Sequence, residues 1–476
     1  MKKLRIAMML GMCIMLSILC LCGCAADEED SEAVVLRVSN WEEYIDLGDW
    51  DEEELIELED GTEIIGENTL YEDFADWYED VYGQKVEIEY STFGTNEDLY
   101  NQITIGDVYD VVCPSEYMIM KMMREGMLVP FSEDFYDTEN EYNYYSRGVS
   151  PYIKSVFDSL NINGENLSKY GAGYMWGTLG LVYNPEYISD EEASHWSLLI
   201  NPDYNRRVTI KDSVRDAYFA AEAIYFYDDI TTDEFMNSED YHANLSDYLN
   251  KTDIDTIKGV EAVLTEAKNN VYAFETDAGK ADMVTGKVYA NEQWSGDAVY
   301  TMDQADEDGV ELYYSAPEEG TNLWFDGWVM LEKGLSEDPR KQKVAEAFIN
   351  YLSMPENAIR NMYYIGYTST ITGGDSDLVF QYIDYTYGAD PEEEEETVEY
   401  NNIGYLFEED SDEANEAYTI ITTPDQTKRQ LYAQYPPKDV IDRSVVMRCF
   451  DEESNKQINR SWINVRCFDL KNLFGK

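Results

Sequence analysis

VVLRVSNW (34–41), KVEIEYSTF (85–93) and YDVVCPS (109–115) are three short runs rich in β-branched and aromatic residues, and their order decides the fold. Between the first two lies a helical pattern that puts Leu70, Phe74, Trp77 and Val81 on one face. A shorter pattern with Leu99 and Ile103 separates the second from the third. Strand, helix, strand, helix, strand is the signature of a parallel sheet covered on both faces. Ligands of such sheets sit beyond the carboxyl ends of the strands, where Trp41, Thr92 and Ser115 fall. The fold class expected is α/β.

Further along, a helix from Tyr117 to Glu125 is expected to stop at Gly126. YGAGYMWGTLGLVYNPE (170–186) reads as a glycine- and aromatic-rich turn, carrying Trp176, followed by a strand. RRVTIKDSVRDAYFAAEAIYFY (206–227) reads as strand, ligand-facing loop and helix, with Asp212 or Ser213 as cap. Other helices or strands are expected in IKGVEAVLTEAKN (257–269), ADMVTGKVYANEQWSGDAVYTM (281–302), LWFDGWVML (323–331) and 341–369. The later strands must complete sheets begun earlier, so neither lobe is continuous in sequence. An acidic insertion, LGDWDEEELIELEDGTEIIGENT, follows the first strand. From about 370 to 428 a second one carries PEEEEET and FEEDSDEANEAY, and like charge at that density favours an exposed or disordered excursion. The tail from Leu431 to Lys476 returns to mixed patterning and is expected to pack on the second lobe.

The N-terminus has the layout of an export signal: Lys2, Lys3 and Arg5 precede an apolar run from Ile6 to Cys22. Its ending, Leu21-Cys22-Gly23-Cys24, resembles the lipobox of bacterial lipoproteins. That resemblance implies a signal peptide over 1–23, acylation of Cys24, and a tether over 24–33 on the outer face of the cell membrane or in the periplasm, with a cleaved secretory signal and an uncleaved anchor as the alternatives. The remaining length suits two lobes. The net charge of −64 disfavours nucleic acid as a partner, because phosphate binding needs the opposite sign. Of seven cysteines, Cys13, Cys20, Cys22 and Cys24 lie in the leader or anchor. Cys113 reads as a buried strand thiol, and a disulfide between Cys449 and Cys467 is allowed outside the cytoplasm. Neither a compact Cys/His cluster nor an HExxH, GxSxG or P-loop motif occurs, so metal, cofactor and catalytic roles are not expected. His195 and His242 read as surface residues.

An aliphatic polyammonium ligand has charged ends and an apolar middle, so its pocket should offer carboxylates and aromatic faces. Trp41, Tyr44, Tyr117, Trp176, Trp294, Trp324 and Tyr367 lie at element edges, with Asp212, Asp216, Asp297 and Asp326 beside them. Taken singly, each reads equally well as a core aromatic or a surface acid. NWEEY (40–44), YDVVCPSEYMIMKMMREGML (109–128), YMWGTLGLVYNP (174–185), KDSVRDAY (211–218), NEQWSGDA (291–298), LWFDGWVM (323–330) and IGYTS (365–369) together resemble, in order and spacing, the blocks of the bacterial spermidine/putrescine-binding proteins that serve ABC importers.

The resemblance implies a two-lobed periplasmic binding protein fold of type II, each lobe a mixed, mostly parallel sheet flanked by helices. The first lobe would comprise 34–178 and 323–368, the second 179–322 and 369–476. It implies that Trp41, Tyr44, Ser115, Tyr117, Asp212, Asp216, Trp294, Trp324, Asp326 and Tyr367 contact a polyamine, with Asp326 as the principal ammonium anchor. It further implies a monomer that closes about its hinge and docks on membrane permease subunits. Glu116 stands where a Thr is common in the family, Glu43 sits in a block that varies, and either could add negative charge near the ligand. The family's late glutamine contact aligns only loosely, near VVMRCF (445–450). Putrescine or spermidine stays open, as do the alternatives of another small solute, such as an amino acid or sugar, and an extracellular hydrolase.

Overall fold

The computed structural model describes residues 33–389, 398–408 and 411–467. The leader, Cys24, the tether and the PEEEEET run all lie outside these residues, apart from residue 33 of the tether. Among the described residues no helix is long and apolar enough to cross a membrane.

The spine of the molecule is one mixed sheet. Its order is Ala273–Glu275, Val208–Lys211, Ala290–Trp294, Gly171–Tyr183, Thr321–Leu331, Val111–Val112, Val34–Trp41 and Val86–Phe93. Val34–Trp41 runs parallel to its neighbours on both sides, as the opening strand–helix pattern requires. Val208–Lys211 likewise lies parallel to Ala273–Glu275 and Ala290–Trp294 at the other end. The two long central strands are antiparallel and join the halves. Residues 171–178 pair with Thr321–Leu331, whereas 179–183 pair with Ala290–Trp294. Gly171–Tyr183 is one continuous buried strand in which Trp176 is a core residue, not a turn residue.

Each half of the sheet is packed on both faces. One face of the first buries Phe93, Ile119, Trp176 and Phe325, and the other Leu36, Phe74, Trp328 and Phe348. In the second half, Leu181, Trp196, Phe219 and Leu264 form one core, while Val182, Met283, Met302 and Tyr314 form another. Truncating a buried ring such as Phe74 or Phe219 to Ala would cost about 3–5 kcal/mol.

The described parts of the acidic insertions are more ordered than their charge suggests. The first forms a hairpin of Ile56–Glu57 and Glu63–Ile64 and buries Trp50, Ile56, Leu58 and Ile64. Arg360 fastens it by donating to Asp46 at 2.7 Å and to the Asn68 carbonyl at 2.8 Å. The second contains the helix Leu378–Tyr387 and a hairpin of Glu399–Asn402 with Thr419–Thr422. Apolar residues interleaved with its acids, Val379, Tyr382, Ile383, Ile403, Leu406 and Ile420, are buried in the core that holds Phe93 and Phe325. The described residues between 378 and 422 therefore pack on the first lobe, a correction to the assignment of all of 369–476 to the second, while Lys428, Arg429 and Gln430 reach Asp190, Asp306 and Asp303 of the second. Val445, Met447, Phe450, Ile458 and Val465 do pack on the second.

Cys449 and Cys467 are free, another correction. The helix Glu452–Cys467 stands between them, and at 1.5 Å rise per residue it separates its ends by roughly 20 Å, far beyond disulfide reach. Cys113 is fully buried. His195 is only half-exposed, its Nδ1 lying 3.2 Å from Oε1 of the buried Glu319, whereas His242 is exposed and its Nε2 lies 2.8 Å from the Ser444 carbonyl oxygen.

Candidate functional site

The segments predicted to carry function meet where the two lobes face each other. On the first-lobe side the anchor is Asp326, in the middle of Thr321–Leu331 and 6% exposed. The strand register slips at this point: Asp326 faces Met175 but Gly327 faces Gly173, leaving Tyr174 as an extra residue. Bulges of this kind re-aim side chains beside sites. Asp326 Oδ1 accepts the Ser115 hydroxyl at 2.7 Å, and Oδ2 accepts the Tyr44 hydroxyl at 2.8 Å. Asn96, at the start of the helix Asn96–Ile105, orders the next layer. Its Nδ2 donates to Ser115 Oγ and Tyr117 Oη, both at 3.0 Å, and its Oδ1 accepts the Ser115 N–H at 3.0 Å.

Aromatic rings wall this carboxylate in. Tyr367 meets Tyr44 and Trp324 edge to face, with centroids 5.4 Å apart in each pair. Trp41 packs on Phe93 at 4.8 Å, and the buried Nε1 atoms of Trp41 and Trp324 make no hydrogen bond. Burial pushes the Asp326 carboxyl up to about 6, although the hydroxyls of Ser115 and Tyr44 act to lower it. Among the described residues, no basic side chain is paired with Asp326. Glu116 is also buried, and its desolvation raises it to about 8. It accepts the Phe325 N–H at 3.3 Å, and its burial favours the neutral form over the added negative charge that the sequence suggested. Glu43 is exposed.

On the second-lobe side the strand Ala290–Trp294 leads into the helix Ser295–Glu307, which carries Asp297 in its first turn. Asp297 accepts the ammonium of Lys211 at 3.0 Å, that of Lys280 at 3.2 Å and the Tyr367 hydroxyl at 3.1 Å. Burial raises its carboxyl, but the two lysines more than reverse that and hold it below its ordinary value. The Tyr367 bond ties the two lobes together. Gly296 permits it, since a Cβ there would overlap the Tyr367 ring, and Gly366 supplies the left-handed turn, φ 78°, just before Tyr367.

Asp216 lies in the first turn of the helix Val214–Tyr225, which is capped by Ser213. It is 6% exposed, accepts the Trp294 indole N–H at 3.3 Å, and is raised by burial although Lys211 and Arg215 pull the other way. Arg215 reaches across to the first lobe and stacks 5.0 Å from the Tyr117 ring. Asp212 is not brought into this group. It is exposed and accepts Arg466 at 2.6 Å from the C-terminal helix.

The structure thus joins Tyr44, Ser115, Tyr117, Trp324, Asp326 and Tyr367 on one side, and Asp216 and Trp294 on the other. Sequence reasoning missed Asn96 and Lys211. Lys211 stands in the KDSVRD block, but only the fold turns it onto Asp297. The arrangement holds, among rings, a carboxylate that no basic side chain of the described residues compensates. Groups of His, Cys, Asp and Glu able to hold a metal are absent among the described residues.

Comparison with known proteins agrees with this geometry. The spermidine/putrescine-binding periplasmic protein of Salmonella typhimurium is 25% identical over 287 residues, 59% of this chain and 70% of the relative. That of Escherichia coli is 25% identical over 314 residues, 63% of this chain and 77% of the relative. The solved spermidine/putrescine ABC transporter substrate-binding protein of Streptococcus pneumoniae superposes with a TM-score of 0.56 at 22% identity. That superposition covers 91% of this chain and 99% of the other, and it shows the two-lobed type II fold. Residues 70–379 match the profile of bacterial extracellular solute-binding proteins, and the chain belongs to that family.

Proposed function

We propose that this protein captures a polyamine, putrescine or spermidine, in the cleft between its lobes and delivers it to the membrane permease of an ABC importer. The observation that carries this reading is Asp326. A buried, ringed-in carboxylate bonded only by hydroxyls favours a cation of matching size, because an ionised group without a partner is costly to bury. Keeping it ionised in the unliganded protein costs on the order of 3 kcal/mol, which an arriving ammonium would offset. Tyr44, Ser115, Tyr117, Trp41, Trp324 and Tyr367 would line the first-lobe half, and Trp294 and Asp216 the second. Each relative named above carries spermidine and putrescine in its name, which supports the same ligand class here.

In this reading the protein performs no chemistry on its ligand. Ligand selects the closed state, in which Tyr367 reaches Asp297 and Arg215 reaches Tyr117, and a monomer in that state docks on the permease. Acylation at Cys24 would hold it at the outer face of the membrane. The test is isothermal titration of the chain lacking residues 1–24 with putrescine, cadaverine, spermidine, spermine, arginine and glycine betaine at physiological salt. Saturable one-to-one binding of an amine at micromolar affinity or better, lost in Asp326→Ala, is the expected result. Weak multisite binding that salt abolishes and Asp326→Ala leaves unchanged would refute the assignment, since net charge alone attracts polycations.

A further inference from the structure

The second-lobe end of the cleft already contains a cation supplied by the protein. Lys211 ends the strand Val208–Lys211 and is 1% exposed. Its ammonium lies 4.1 Å from the centroid of the Trp294 ring and donates to Asp297 at 3.0 Å and to the Thr276 carbonyl at 2.9 Å. A ring face, a carboxylate and a carbonyl are the surroundings that a bound alkylammonium takes. Asp297 has a second ammonium within reach on its other oxygen, that of Lys280, which it shares with Asp277 at 3.5 Å, and it accepts the Tyr367 hydroxyl there as well. Burying a second ammonium there is costly, so its placement calls for a role.

We propose that Lys211 is a built-in ammonium that sets the length and charge of the ligand. It occupies one cation position on Trp294 and leaves Asp326, which has no basic neighbour, and Asp216, whose charge Lys211 and Arg215 offset only in part, for groups arriving from solvent. The cleft therefore selects a short diamine over a triamine, whose additional ammonium would meet the Lys211 charge. This inference rests on the amine-capture reading above.

The experiment titrates putrescine and spermidine against the wild-type protein, Lys211→Met and Lys211→Arg. Lys211→Met keeps the bulk and removes the charge, while Asp297 retains Lys280. The wild type should bind putrescine at least about tenfold more tightly than spermidine. Lys211→Met should shift that ratio about tenfold or more toward spermidine, and Lys211→Arg should preserve it. An unchanged ratio in Lys211→Met, with both amines still bound, overturns the role of Lys211 and leaves amine capture standing. A wild type that binds neither amine overturns both. Should Lys211→Met fail to fold by circular dichroism, the other two proteins decide: wild-type preference for spermidine, or loss of the preference in Lys211→Arg, refutes the proposal.

Discussion

Asp326 and Asp297 sit on opposite sides of the cleft, each at least nine-tenths buried, and tyrosine hydroxyls bond to both. Asp297 has two lysines within 3.2 Å and its carboxyl is depressed. Asp326 has only hydroxyl donors and is pushed up to about 6. Burial is nearly equal, so the difference lies in the source of the countercharge. One end is complete within the protein, whereas the other is complete only when a cation arrives.

The sharpest way to break this comparison is to neutralise each carboxylate. Asp326→Ala should weaken amine affinity by roughly a hundredfold or more, the usual scale for truncating one member of a buried charge pair. In the unliganded protein Asp326→Asn should raise the melting temperature by a few degrees, since it removes an unpaired buried charge. Asp297→Asn should act oppositely and destabilise by about 3 kcal/mol, because it leaves Lys211 buried without its partner. Melting temperatures of the unliganded proteins that move in the same direction would refute the contrast.

Protonation offers a gentler probe. The folded Asp326 pKa lies above its ordinary value of 3.8. Its stabilising contribution is therefore fully present below about 3.8 and is lost as pH rises through about 6. Amine binding needs the ionised form, and the ligand ammonium stays charged throughout this range. Affinity should fall by up to about tenfold per unit as pH drops below about 6. Calorimetry from pH 5 to 8 checks this, and the acid limb should vanish in Asp326→Asn.

Lobe closure gives a smaller effect. Gly296→Ala would place a methyl against the Tyr367 ring and should weaken binding about tenfold, with slower association in stopped flow. The smallest effect is expected at Asp212. It is exposed and paired with Arg466, so Asp212→Ala should change affinity less than about twofold. A larger loss would return this residue to the site.

Much of the fold was legible in the sequence because its signals are local. The β-branched runs at 34–41 and 86–93 form strands near their expected bounds, and the helix predicted from Tyr117 to Glu125 spans Glu116–Arg124. In the acidic segment from 370 to 428 the PEEEEET run lies outside the described residues, but around it formal charge outweighs pattern in a sequence reading. Apolar residues spaced along the segment, such as Val379, Tyr382 and Ile383, find a surface on the first lobe that its own sequence does not announce. Within the site, aromatic and acidic blocks pointed to Tyr44, Ser115, Asp326 and Tyr367, and of the two acids in KDSVRDAY to Asp216 as the better match, which is the one that reaches Trp294.

The sequence by itself determined the α/β order of elements, the strongly acidic character and the blocks that supply rings and carboxylates, all properties of neighbouring residues. Only the tertiary structure decided which carboxylate is left without a partner. That depends on Lys211 and Lys280 being folded onto Asp297 and on a bulge that aims Asp326 at hydroxyls. Countercharge acts through space over a few ångströms, and residues far apart in the chain determine it.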